Sequence, residues 1–567
     1  MTIKMMNAMK NLTLLATVLL FTLLMSTESR AQEPTWAWQV DADNSICLTR
    51  LLKTDDFGNT YVVGSYSEFD LTVQDQVLPL PEGETSAGFM LKVDPNGNLL
   101  WMKSFPGTLV PTDIAITSDG RLFFAFTITP EIPFALIDID GISFTMYVGI
   151  NGYVYEFDED GTAIAGHEFQ DGSNFITLSG LSVMEVDNDD NLILSGAFSN
   201  SLNINGFELS NTLTEVLTAG FLLKMDADGV VAWGEEFIPT SQGGGLVYMD
   251  VTSDNSIVGF GGWGGDTLYI GDDVILENTE EGDFVFDDFS VKFSAEGDLI
   301  WATHFESNDE NAGGMSGIVA TSDNGATLFF NGGEYVVNDV PLNQTGGYLA
   351  KQNFEGGLAS VQNITSEGFR GGITLTDDDG FLITSQFDTE TFTIPGTNIT
   401  SAGLIDAVVF KLNSDLETEW FVQIGAEDQD FVLAAQPVDG GYIVGGDYAS
   451  AELDFGGATI TNDFTPDTDL FIAKLDVPLS VSNRDKVELV NVFPNPASDF
   501  IQVDLRDTEA RLDQISVFDI SGKMVIQENN PAGQLIQIDV TALPVGQYTV
   551  LLRDGLLTYV SKFVKQN

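Results

Sequence analysis

The amino-acid sequence predicts an all-β protein: a seven-bladed β-propeller whose N-terminal strand closes the last blade, followed by a small immunoglobulin-like β-sandwich. Two observations predict this fold. Between residues 53 and 476 a pair of consecutive β-hairpins recurs seven times, and after residue 476 the composition changes. Four-stranded units repeated around an axis form a propeller, which protects the edges of its sheets by closing on itself.

The first 31 residues are predicted to be a secretory leader. Lys4 and Lys10 supply positive charge, residues 12–25 form an apolar run, and residues 29–31 offer a small-x-small cleavage site. An apolar run of 14 residues is shorter than the ~20 that a membrane-spanning helix needs. We therefore expect a cleaved leader and no transmembrane segment in the mature chain. An uncleaved N-terminal anchor is the alternative.

The charge of the chain is extreme, with 85 acidic against 22 basic residues and a formal net charge of −63. Such a surface repels nucleic acid and anionic membranes, because both bind through basic residues. Disorder also accompanies high net charge, but 43% hydrophobic and 11% aromatic residues favour a folded chain. We expect no nucleic-acid partner, no cofactor and at most weak binding of Ca²⁺.

Cysteine and histidine are scarce. Cys47 is the only cysteine, so no intramolecular disulfide can form, and His167 and His304 are the only histidines. This scarcity argues against a zinc site built from Cys and His. A Ser-His-Asp or Cys-His catalytic arrangement would have to use one of the two histidines.

In four units the second hairpin has a lysine in its first strand and a tryptophan nine residues later; in the copy at 153–169 Glu156 replaces the lysine. An apolar strand leads into a turn of Asp, Asn and Gly, in which Gly97 can take the positive φ of a tight hairpin. Four copies have both residues and span 89–105, 221–237, 289–305 and 408–424; two copies without tryptophan span 153–169 and 348–364, and a half-copy spans 471–476.

The repeat length follows from the lysine position. Residues 92, 156, 224, 292, 351, 411 and 474 are 59 to 68 residues apart. Each unit also contains another hairpin, as at 53–67, and a variable insert such as 201–215 accounts for the length beyond the ~40–45 residues of a simple blade. A solenoid of stacked β-coils is the structural alternative, and it predicts shorter and more uniform repeats.

The recurring lysines and tryptophans are interpreted as scaffold residues. Six of the eight lysines between residues 32 and 485, and five of the seven tryptophans, occupy the two repeat positions. We expect each tryptophan to pack between blades, and each lysine to lay its stem along apolar surface while its ammonium meets a carboxylate. The residues are Trp36, Trp101, Trp233, Trp301 and Trp420, with Lys92, Lys224, Lys292, Lys351, Lys411 and Lys474.

The N-terminal segment 36–40 is predicted to supply a missing strand. The second strands of the recurring hairpin, including those with Ala165 and Ser360 in place of tryptophan, number seven only if the strand of Trp36 is included. The first strands, including the one with Glu156 in place of lysine, number seven only if the half-copy at 471–476 is included. A lone strand at an N-terminus would fray. We therefore predict that residues 36–40 pair with residues 471–476 and close the ring, with Trp36 as the docked residue.

After a linker predicted at residues 479–490, ordered motifs follow one another: NVFPNPASDFIQVDL (491–505), ISVFDISGKMV (515–525), IDVTALPVGQYTVLL (538–552) and SKFVKQN (561–567). Pro and Gly at their turns are typical of a small antiparallel sandwich. This stretch strongly resembles the type A C-terminal sorting domain of the type IX secretion system. Its motif residues are Pro494, Asn495, Pro496, Gly522, Lys523, Gly546, Tyr548 and Lys562.

The resemblance implies export across the outer membrane of a Gram-negative cell, with the type IX secretion machinery as the partner of this domain. In many members of the family the tail is then removed, and the protein is released or attached to surface lipopolysaccharide. An immunoglobulin-like accessory module that binds another ligand is the alternative for residues 491–567.

Three further motifs resemble functional sites, and each favours a structural role. DNDDN (187–191) begins like an EF-hand loop, but Leu192 stands where that loop needs glycine and no glutamate closes it. TSDNGATL (321–328) resembles the aspartate box of sialidase propellers. The tryptophan hairpins resemble the docking repeats of quinoprotein propellers without an assembled cofactor site, and the seven units look like the propeller repeats of secreted bacterial proteins.

The predicted function is non-catalytic binding of a glycan or a protein by a secreted or surface-held propeller, through loops around its axis. No catalytic or metal-binding residue is assigned. A carbohydrate-active enzyme that uses paired carboxylates is the alternative, because glycoside hydrolysis needs no histidine. A structural surface component is the third possibility. Carboxylates that converge in a deep axial funnel with aromatic walls would favour the enzyme.

Overall fold

The computed structural model describes residues 34–41, 47–106, 109–130, 134–171, 177–178, 180–211, 218–240, 242–271, 274–278, 286–307, 315–337, 340–366, 371–455, 459–462, 468–476, 491–504, 514–519, 524–529, 535–554 and 557–566. The chain divides into two compact regions, an N-terminal region (Met1–Val477) and a C-terminal region (Pro478–Asn567). The predicted leader (1–31), the predicted linker (479–490) and the motif residues Gly522 and Lys523 lie outside the described residues.

In the N-terminal region, four-stranded antiparallel meanders recur along the chain, and we number them repeats 1 to 7. Strand β1 (Pro34–Asp41) precedes repeat 1, which comprises β2 (Cys47–Thr54), β3 (Thr60–Ser67), an inserted hairpin of β4 (Leu71–Val73) and β5 (Gln76–Leu78), then β6 (Ser86–Val93) and β7 (Leu99–Pro106). Repeat 2 comprises β8 (Leu109–Ile116), β9 (Leu122–Ile128), the insert β10 (Leu136–Ile139) and β11 (Ile142–Thr145), then β12 (Gly149–Phe157) and β13 (Ala163–Asp171).

Repeats 3 and 4 have the same plan, after the short strand β14 (Thr177–Leu178). Repeat 3 comprises β15 (Gly180–Val186), β16 (Leu192–Phe198), the insert β17 (Ser201–Ile204) and β18 (Phe207–Ser210), then β19 (Ala219–Met225) and β20 (Val231–Pro239). Repeat 4 comprises β21 (Gln242–Val251), β22 (Ile257–Gly264), the insert β23 (Thr267–Ile270) and β24 (Val274–Glu277), then β25 (Phe286–Phe293) and β26 (Leu299–Ser307).

The last three repeats vary the insert. Repeat 5 extends its middle strands instead, with β27 (Met315–Ala320), β28 (Ala326–Val337), β29 (Val340–Gln352) and β30 (Leu358–Asn363). Repeat 6 comprises β31 (Ile373–Leu375), β32 (Phe381–Phe387), the insert β33 (Thr391–Ile394) and β34 (Thr397–Thr400), then β35 (Asp406–Leu412) and β36 (Thr418–Ile424). Repeat 7 comprises β37 (Asp430–Val438), β38 (Gly441–Tyr448), the insert β39 (Glu452–Asp454) and β40 (Thr459–Thr461), and β41 (Asp469–Asp476).

Strand β1 supplies the fourth strand of repeat 7. It pairs antiparallel with β41, with Trp36 opposite Lys474 and Val40 opposite Leu470. The sheet order is β37-β38-β41-β1, which repeats the order β2-β3-β6-β7 of repeat 1. The predicted pairing of residues 36–40 with the half-copy at 471–476 is therefore confirmed.

Three of the inserted hairpins and the extended strand β28 cover the edges of other sheets, whereas β10-β11, β33-β34 and β39-β40 pair only within themselves. Strand β4 pairs with β1, β17 with β13, and β23 with β20, so each of these hairpins reaches back to the outermost strand of the preceding repeat. The extended β28 pairs with β26 in the same way. Since an uncovered edge strand invites pairing with another chain, these inserts protect the repeats from aggregation.

The hydrophobic core of the N-terminal region lies between consecutive repeats. One cluster joins repeats 1 and 2, another joins repeats 2 and 3, and the series continues to repeats 6 and 7. A further cluster combines repeat 7 with repeat 1, with Leu470 and Ile472 packed beside Val62 and Leu91. Each sheet therefore buries both of its faces, one against each neighbour.

The first strands of consecutive repeats contact one another, and β37 of repeat 7 contacts β2 of repeat 1. Six of these strands carry a β-bulge at an equivalent place, as between Pro111 and Asp113 in β8. A bulge redirects a side chain and increases the local twist. The bulged first strands position the charged cluster described below.

The C-terminal region has two antiparallel sheets. Its strands are β42 (Asn491–Phe493), β43 (Phe500–Asp504), β44 (Gln514–Asp519), β45 (Met524–Asn529), β46 (Leu535–Asp539), β47 (Gly546–Asp554) and β48 (Leu557–Lys565). The sheet orders are β42-β43-β46 and β45-β44-β47-β48. Ile501 and Ile538 from one sheet share a core with Val517 and Val550 from the other.

Candidate functional site

Four of the repeat tryptophans dock on the next repeat. The indole of Trp101 lies against Gly161, in the turn between the third and fourth strands of repeat 2, and its Nε1 donates to the Glu159 carbonyl at 2.9 Å. The equivalent bonds are Trp36 to Pro95 at 3.4 Å, Trp233 to Ala295 at 3.0 Å and Trp301 to Phe354 at 3.1 Å. We call each contact between the docking position of one repeat and the turn between the third and fourth strands of the facing repeat a joint; this turn is called the outer turn.

Glycine is required in these turns for two reasons. The docking turns have positive φ at Gly97, Gly161, Gly297 and Gly356. A Cβ atom added at any of them would lie only 2.6 to 2.9 Å from an indole carbon of the docked tryptophan. The Gly and the Trp therefore form one unit across the boundary between two repeats.

Trp420 in repeat 6 faces repeat 7. The third and fourth strands of repeat 7, β41 and β1, come from the two ends of the region, so no turn connects them. The Trp420 ring lies 5.1 Å from that of Tyr442 in β38, and only 9% of the residue is exposed. The indole is thus buried against repeat 7 without a docking turn.

Repeats 5 and 2 replace the tryptophan in different ways. In repeat 5 the position is Ser360, and the facing turn has Leu416 where the others have glycine. Leu416 keeps a positive φ of 63° and is 5% exposed, so its side chain packs into the joint. In repeat 2 the position is Ala165, and the imidazole of His167 lies against Gly229 instead.

The repeat lysines have different partners. Lys224 Nζ lies 2.6 Å from Asp187 Oδ2, and Lys411 Nζ lies 2.6 Å from Asp378 Oδ2 and 2.8 Å from Glu419 Oε2. These two have the predicted carboxylates. The other four repeat lysines contact backbone carbonyls or aromatic rings instead of carboxylates. Lys292 donates to the Asn324 carbonyl and lies over the Phe354 ring, and Lys351 donates to the Ser414 carbonyl and lies over the Phe381 ring. Lys474 donates to the Asp439 carbonyl, and Lys92 lies over the Tyr61 ring.

The acidic turn at 187–191 is held by its own backbone. Asp187 Oδ1 accepts the N–H groups of Asp189 and Asn191, both at 2.9 Å. Burial acts to raise the pKa of Asp187, but the bonds from Lys224 and from this backbone outweigh it and lower the pKa. No cluster of three or more His, Cys, Asp or Glu suited to a metal ion occurs in the described ranges.

A charged group that the repeat pattern does not mark lies on the first strands of repeats 1 to 4. Lys53, Asp113, Glu185 and Asp250, here called the lysine-centred cluster, each come from a different repeat. Lys53 Nζ lies 2.9 Å from Glu185 Oε1 and 3.4 Å from Asp113 Oδ1. No sequence motif connects these four residues, so only the fold brings them together.

Backbone groups of the following repeats hold the carboxylates of this cluster. Asp113 Oδ2 accepts the N–H of Met184 at 2.9 Å, and Asp250 Oδ2 accepts the N–H of Ala320 at 2.8 Å. Each bond joins one repeat to the next. The acids are therefore connectors between first strands as well as partners of Lys53.

Burial and shared charge shift the pKa values in this cluster. Burial, followed by repulsion from Asp113 and Asp250, raises the pKa of Glu185 to about 7 despite the opposing charge of Lys53. Burial also raises the pKa of Asp250. Burial would lower the pKa of Lys53, but Asp113 and Glu185 together raise it. Lys53 lies among these acids and stays charged, whereas Glu185 keeps its proton up to about pH 7.

The two histidines lie in separate places. His304 Nε2 is 2.7 Å from Asp287 Oδ2 in repeat 4, and its ring is 4.9 Å from that of Trp263. His167 in β13 lines an open cleft of about 540 Å³ between repeats 2 and 3. The walls of this cleft are β13, the turn of the inserted hairpin at Ile204–Phe207 and the outer turn at Asp228–Val231.

The C-terminal region uses its motif residues in turns. Asn495 lies between Pro494 and Pro496, donates to the carbonyl of Lys562 at 3.0 Å and accepts the N–H of Val564 at 2.9 Å. Tyr548, two residues after Gly546, donates its hydroxyl to the Pro544 carbonyl at 2.8 Å. These bonds tie the first turn of the region to its last strand and close the turn before β47.

Residues 491–566 match the family model described as the secretion system C-terminal sorting domain. The chain therefore carries this sorting domain, which interacts with the type IX secretion machinery, and it is secreted or held at the outer surface of a Gram-negative bacterium. The described residues include no helix of the length and hydropathy needed to cross a membrane.

Among curated proteins, none matches this chain. The search of solved structures found matches that include a protein of unknown function from Bacteroides caccae (8% identity, 59% of this chain and 89% of that one, TM-score 0.30). Others are an α-L-arabinanase from Penicillium chrysogenum (10%, 62% and 91%, 0.33) and the WD40 domain of SCAP from fission yeast (8%, 77% and 98%, 0.27). Likeness at this level assigns no activity to the chain.

Proposed function

We propose that repeats 1 to 7 are the blades of a closed seven-bladed β-propeller, in which β1 completes the seventh blade. The pairing of β1 with β41 supports closure, because it joins residues from the two ends of the region. Three contacts between repeats 7 and 1 support it too: the shared core, the Trp36 joint at Pro95, and the bond from the Thr49 N–H to Asp447 Oδ1 at 2.7 Å. An open solenoid has no reason to join its ends.

We further propose that the propeller is a non-catalytic binding module for a glycan or a protein outside the cell. The observation that carries this proposal is the state of the lysine-centred cluster. Asp113, Glu185 and Asp250 converge, but Lys53 and backbone N–H groups occupy their oxygens. Carboxylates that connect blades are poor candidates for attacking or protonating a substrate, because moving them breaks the hydrogen bonds and ion pairs that join one first strand to the next.

The experiment is a glycan and extracellular-matrix protein array, combined with a polysaccharide hydrolysis and elimination screen, on the secreted chain. Binding without turnover is the expected result. Turnover that the E185Q variant abolishes would overturn the non-catalytic assignment. An exposed substitution, E159Q in the outer turn of repeat 2, is the matched control, because it removes the same charge away from the cluster.

A carbohydrate-active enzyme is the second candidate, and one observation favours it. Glu185 has a pKa raised to about 7 and lies near two other acids. A general acid needs a carboxyl group that stays protonated near neutral pH while its partner is ionised. If the screen detects turnover, its dependence on Glu185 identifies this cluster as the catalytic centre.

A structural surface component is the third candidate. It predicts neither a ligand on the array nor turnover in the screen.

A further inference from the structure

The first strand of each repeat has one free edge. Within the described residues it pairs only with the second strand of its own repeat, and it contacts the first strand of a neighbouring repeat. In six repeats the bulge of the first strand leaves one residue without a partner in the second strand. These residues, here called the bulge rim, are Arg50, Thr112, Ser182, Val247, Ser316 and Leu433.

Most rim residues project to the free edge rather than into the core. In repeats 1, 3, 4 and 7 the rim residue is exposed, although the residues on either side of it are buried or half-buried. Even the apolar Val247 and Leu433 are 42% and 36% exposed. A bulge redirects a side chain in this way. In a closed ring the free edges of the first strands surround the axis, so the rim residues face one central opening.

Arg50 is the rim residue that can hold a charged ligand. Every other lysine and arginine that the structure describes in the N-terminal region has a carboxylate, a carbonyl or an aromatic ring as its partner. Within that part of the chain, the exposed Arg50 makes no hydrogen bond and no ion pair. Its planar guanidinium fork fits the two oxygens of a carboxylate.

The charges around Arg50 leave its guanidinium open to an anion. Asp447 in repeat 7 is the carboxylate on which the charge of Arg50 acts, but Asp447 Oδ1 accepts the Thr49 N–H at 2.7 Å. Burial raises the pKa of Asp447 to about 6, against the opposing effects of Thr49 and Arg50. No rim residue is acidic. The net charge of −63 acts weakly at the rim, because physiological salt screens exposed charges more than ~8 Å apart.

The uncharged rim residues favour one kind of carboxylate. Val247 and Leu433 offer apolar surface, and the exposed Ser182 offers a hydroxyl group for hydrogen bonds. A uronic acid residue combines a carboxylate, hydroxyl groups and C–H faces on one ring, so it matches all three kinds of side chain. An acidic peptide carries carboxylates without hydroxyl groups beside them.

From these observations we propose that the bulge rim binds an acidic glycan, in which Arg50 pairs with the carboxylate of a uronic acid residue and the uncharged rim residues contact the adjoining sugar. The site rests on the proposed closed ring, and it deepens the proposed binding role by naming the class of ligand.

The test is calorimetric titration of the secreted chain with oligosaccharides of galacturonic, glucuronic and mannuronic acid, each beside its carboxyl-reduced counterpart. At least one acidic oligosaccharide should bind, and its reduced counterpart should bind at least tenfold more weakly. R50Q should weaken binding at least tenfold. R121Q is the matched control, because it removes a guanidinium that is paired with Asp119 away from the rim. Equal affinity of the acidic and reduced forms, or of R50Q and the native chain, would overturn the proposal.

A second variant places the ligand at the rim independently of Arg50. S182D adds a negative charge to an exposed rim position and should weaken binding of the acidic oligosaccharide, whereas S414D, in the exposed outer turn of repeat 6, should not. Equal affinities of S182D and S414D would contradict a site at the rim. All four variants change residues outside the core, so their thermal midpoints should match that of the native chain.

The remaining outcomes separate this site from the proposed binding role. A glycan or protein bound on the array, without binding of any acidic oligosaccharide in the titration, rejects the site and leaves the binding role intact. Binding of a glutamate-rich peptide in place of every acidic oligosaccharide rejects a glycan as the ligand. No ligand in either experiment rejects both proposals.

Discussion

At the scale of single residues, one backbone carbonyl in the docking turn is the acceptor that the facing repeat contacts. Four such carbonyls accept an indole N–H from the preceding repeat. Where Ser360 replaces tryptophan, the repeat lysine Lys351 donates to the Ser414 carbonyl at 2.8 Å instead. Each of these carbonyls therefore accepts a hydrogen bond from the facing repeat, and the donor can be a tryptophan or a lysine.

The Lys224 ion pair is the repeat lysine contact with the largest expected effect on stability. Asp187 is fully buried and the Lys224 side chain is 11% exposed, so K224A leaves a buried carboxylate without its counter-charge. We expect a loss of about 3–5 kcal/mol in the free energy of unfolding, measured by denaturant titration. K474A removes only a bond to the Asp439 carbonyl and should cost about 1 kcal/mol. Equal effects of the two variants would show that Asp187 does not depend on Lys224.

Ser360 and Leu416 are expected to be coupled. S360W alone should destabilise the chain by about 1–3 kcal/mol, because Leu416 fills the place that glycine leaves open elsewhere. L416G alone leaves a cavity and should cost about 2–4 kcal/mol. The double variant restores the Trp–Gly pair, so its loss should be smaller than the sum by more than about 1 kcal/mol. Additive losses in a double-mutant cycle would contradict this view of the joint.

The pH dependence of stability should report on Glu185. Its folded-state pKa of about 7 lies above the ordinary value, so the folded chain keeps a proton that the unfolded chain releases. Its contribution is fully present below the ordinary pKa and is lost as the pH rises through 7. We expect Glu185 to account for a loss of about 2 kcal/mol between pH 5 and pH 8. E185Q should remove this part of the slope and E159Q should not; identical slopes in both variants would contradict the shift.

At the scale of elements, the sequence predicted the recurring hairpins and the pairing of β1, because turn residues and repeat positions are local signals. Counting the first and second strands of the recurring hairpin is enough to assign β1 to β41, because each set lacks one member without the strand of Trp36 or the half-copy at 471–476. The sequence indicates only that the inserts vary in length, yet several of them pair with another repeat, as β17 does with β13. Their sequences differ from repeat to repeat, so a recurring structural role is visible only in the sheet pairing.

The candidate site was less predictable than the fold. Lys53, Glu185 and Asp250 occupy equivalent positions of their first strands, and Asp113 lies two residues before that position. Their residue types differ, and no repeat pattern marks them. His167 was visible only as one of two histidines. Its role depends on the loss of tryptophan at residue 165 and on a turn 62 residues further along the chain, at Gly229.

Strand β1 offers a test of closure by complementation. A chain that lacks residues 34–41 leaves β41 with an open edge and should lose several kcal/mol of stability, since the burial of Val40, Trp36 and Trp38 is lost. A synthetic peptide of residues 33–43 should restore the thermal midpoint, and the same peptide with W36A should restore it less. Full stability of the truncated chain would show that β1 is not part of the scaffold.

At the scale of the whole molecule, the sorting domain at 491–566 and the charge of −63 belong to a protein that works outside the cell. High net charge keeps such a protein soluble. The joints, the inserted hairpins and the shared core each connect one repeat to the next, and all of them rely on neighbours rather than on disulfides. A ring suits this arrangement, because it leaves no terminal repeat without a partner.

The most direct test of the central claim is an electron-density or cryo-electron microscopy map of the secreted chain, viewed along the axis of its N-terminal region. The closed-ring account predicts seven four-stranded blades, with the strand of Trp36 beside that of Lys474 and its indole on the turn at Pro95–Gly97. Six or eight blades, an open arc, or a Trp36 strand placed away from residues 470–474 would contradict it.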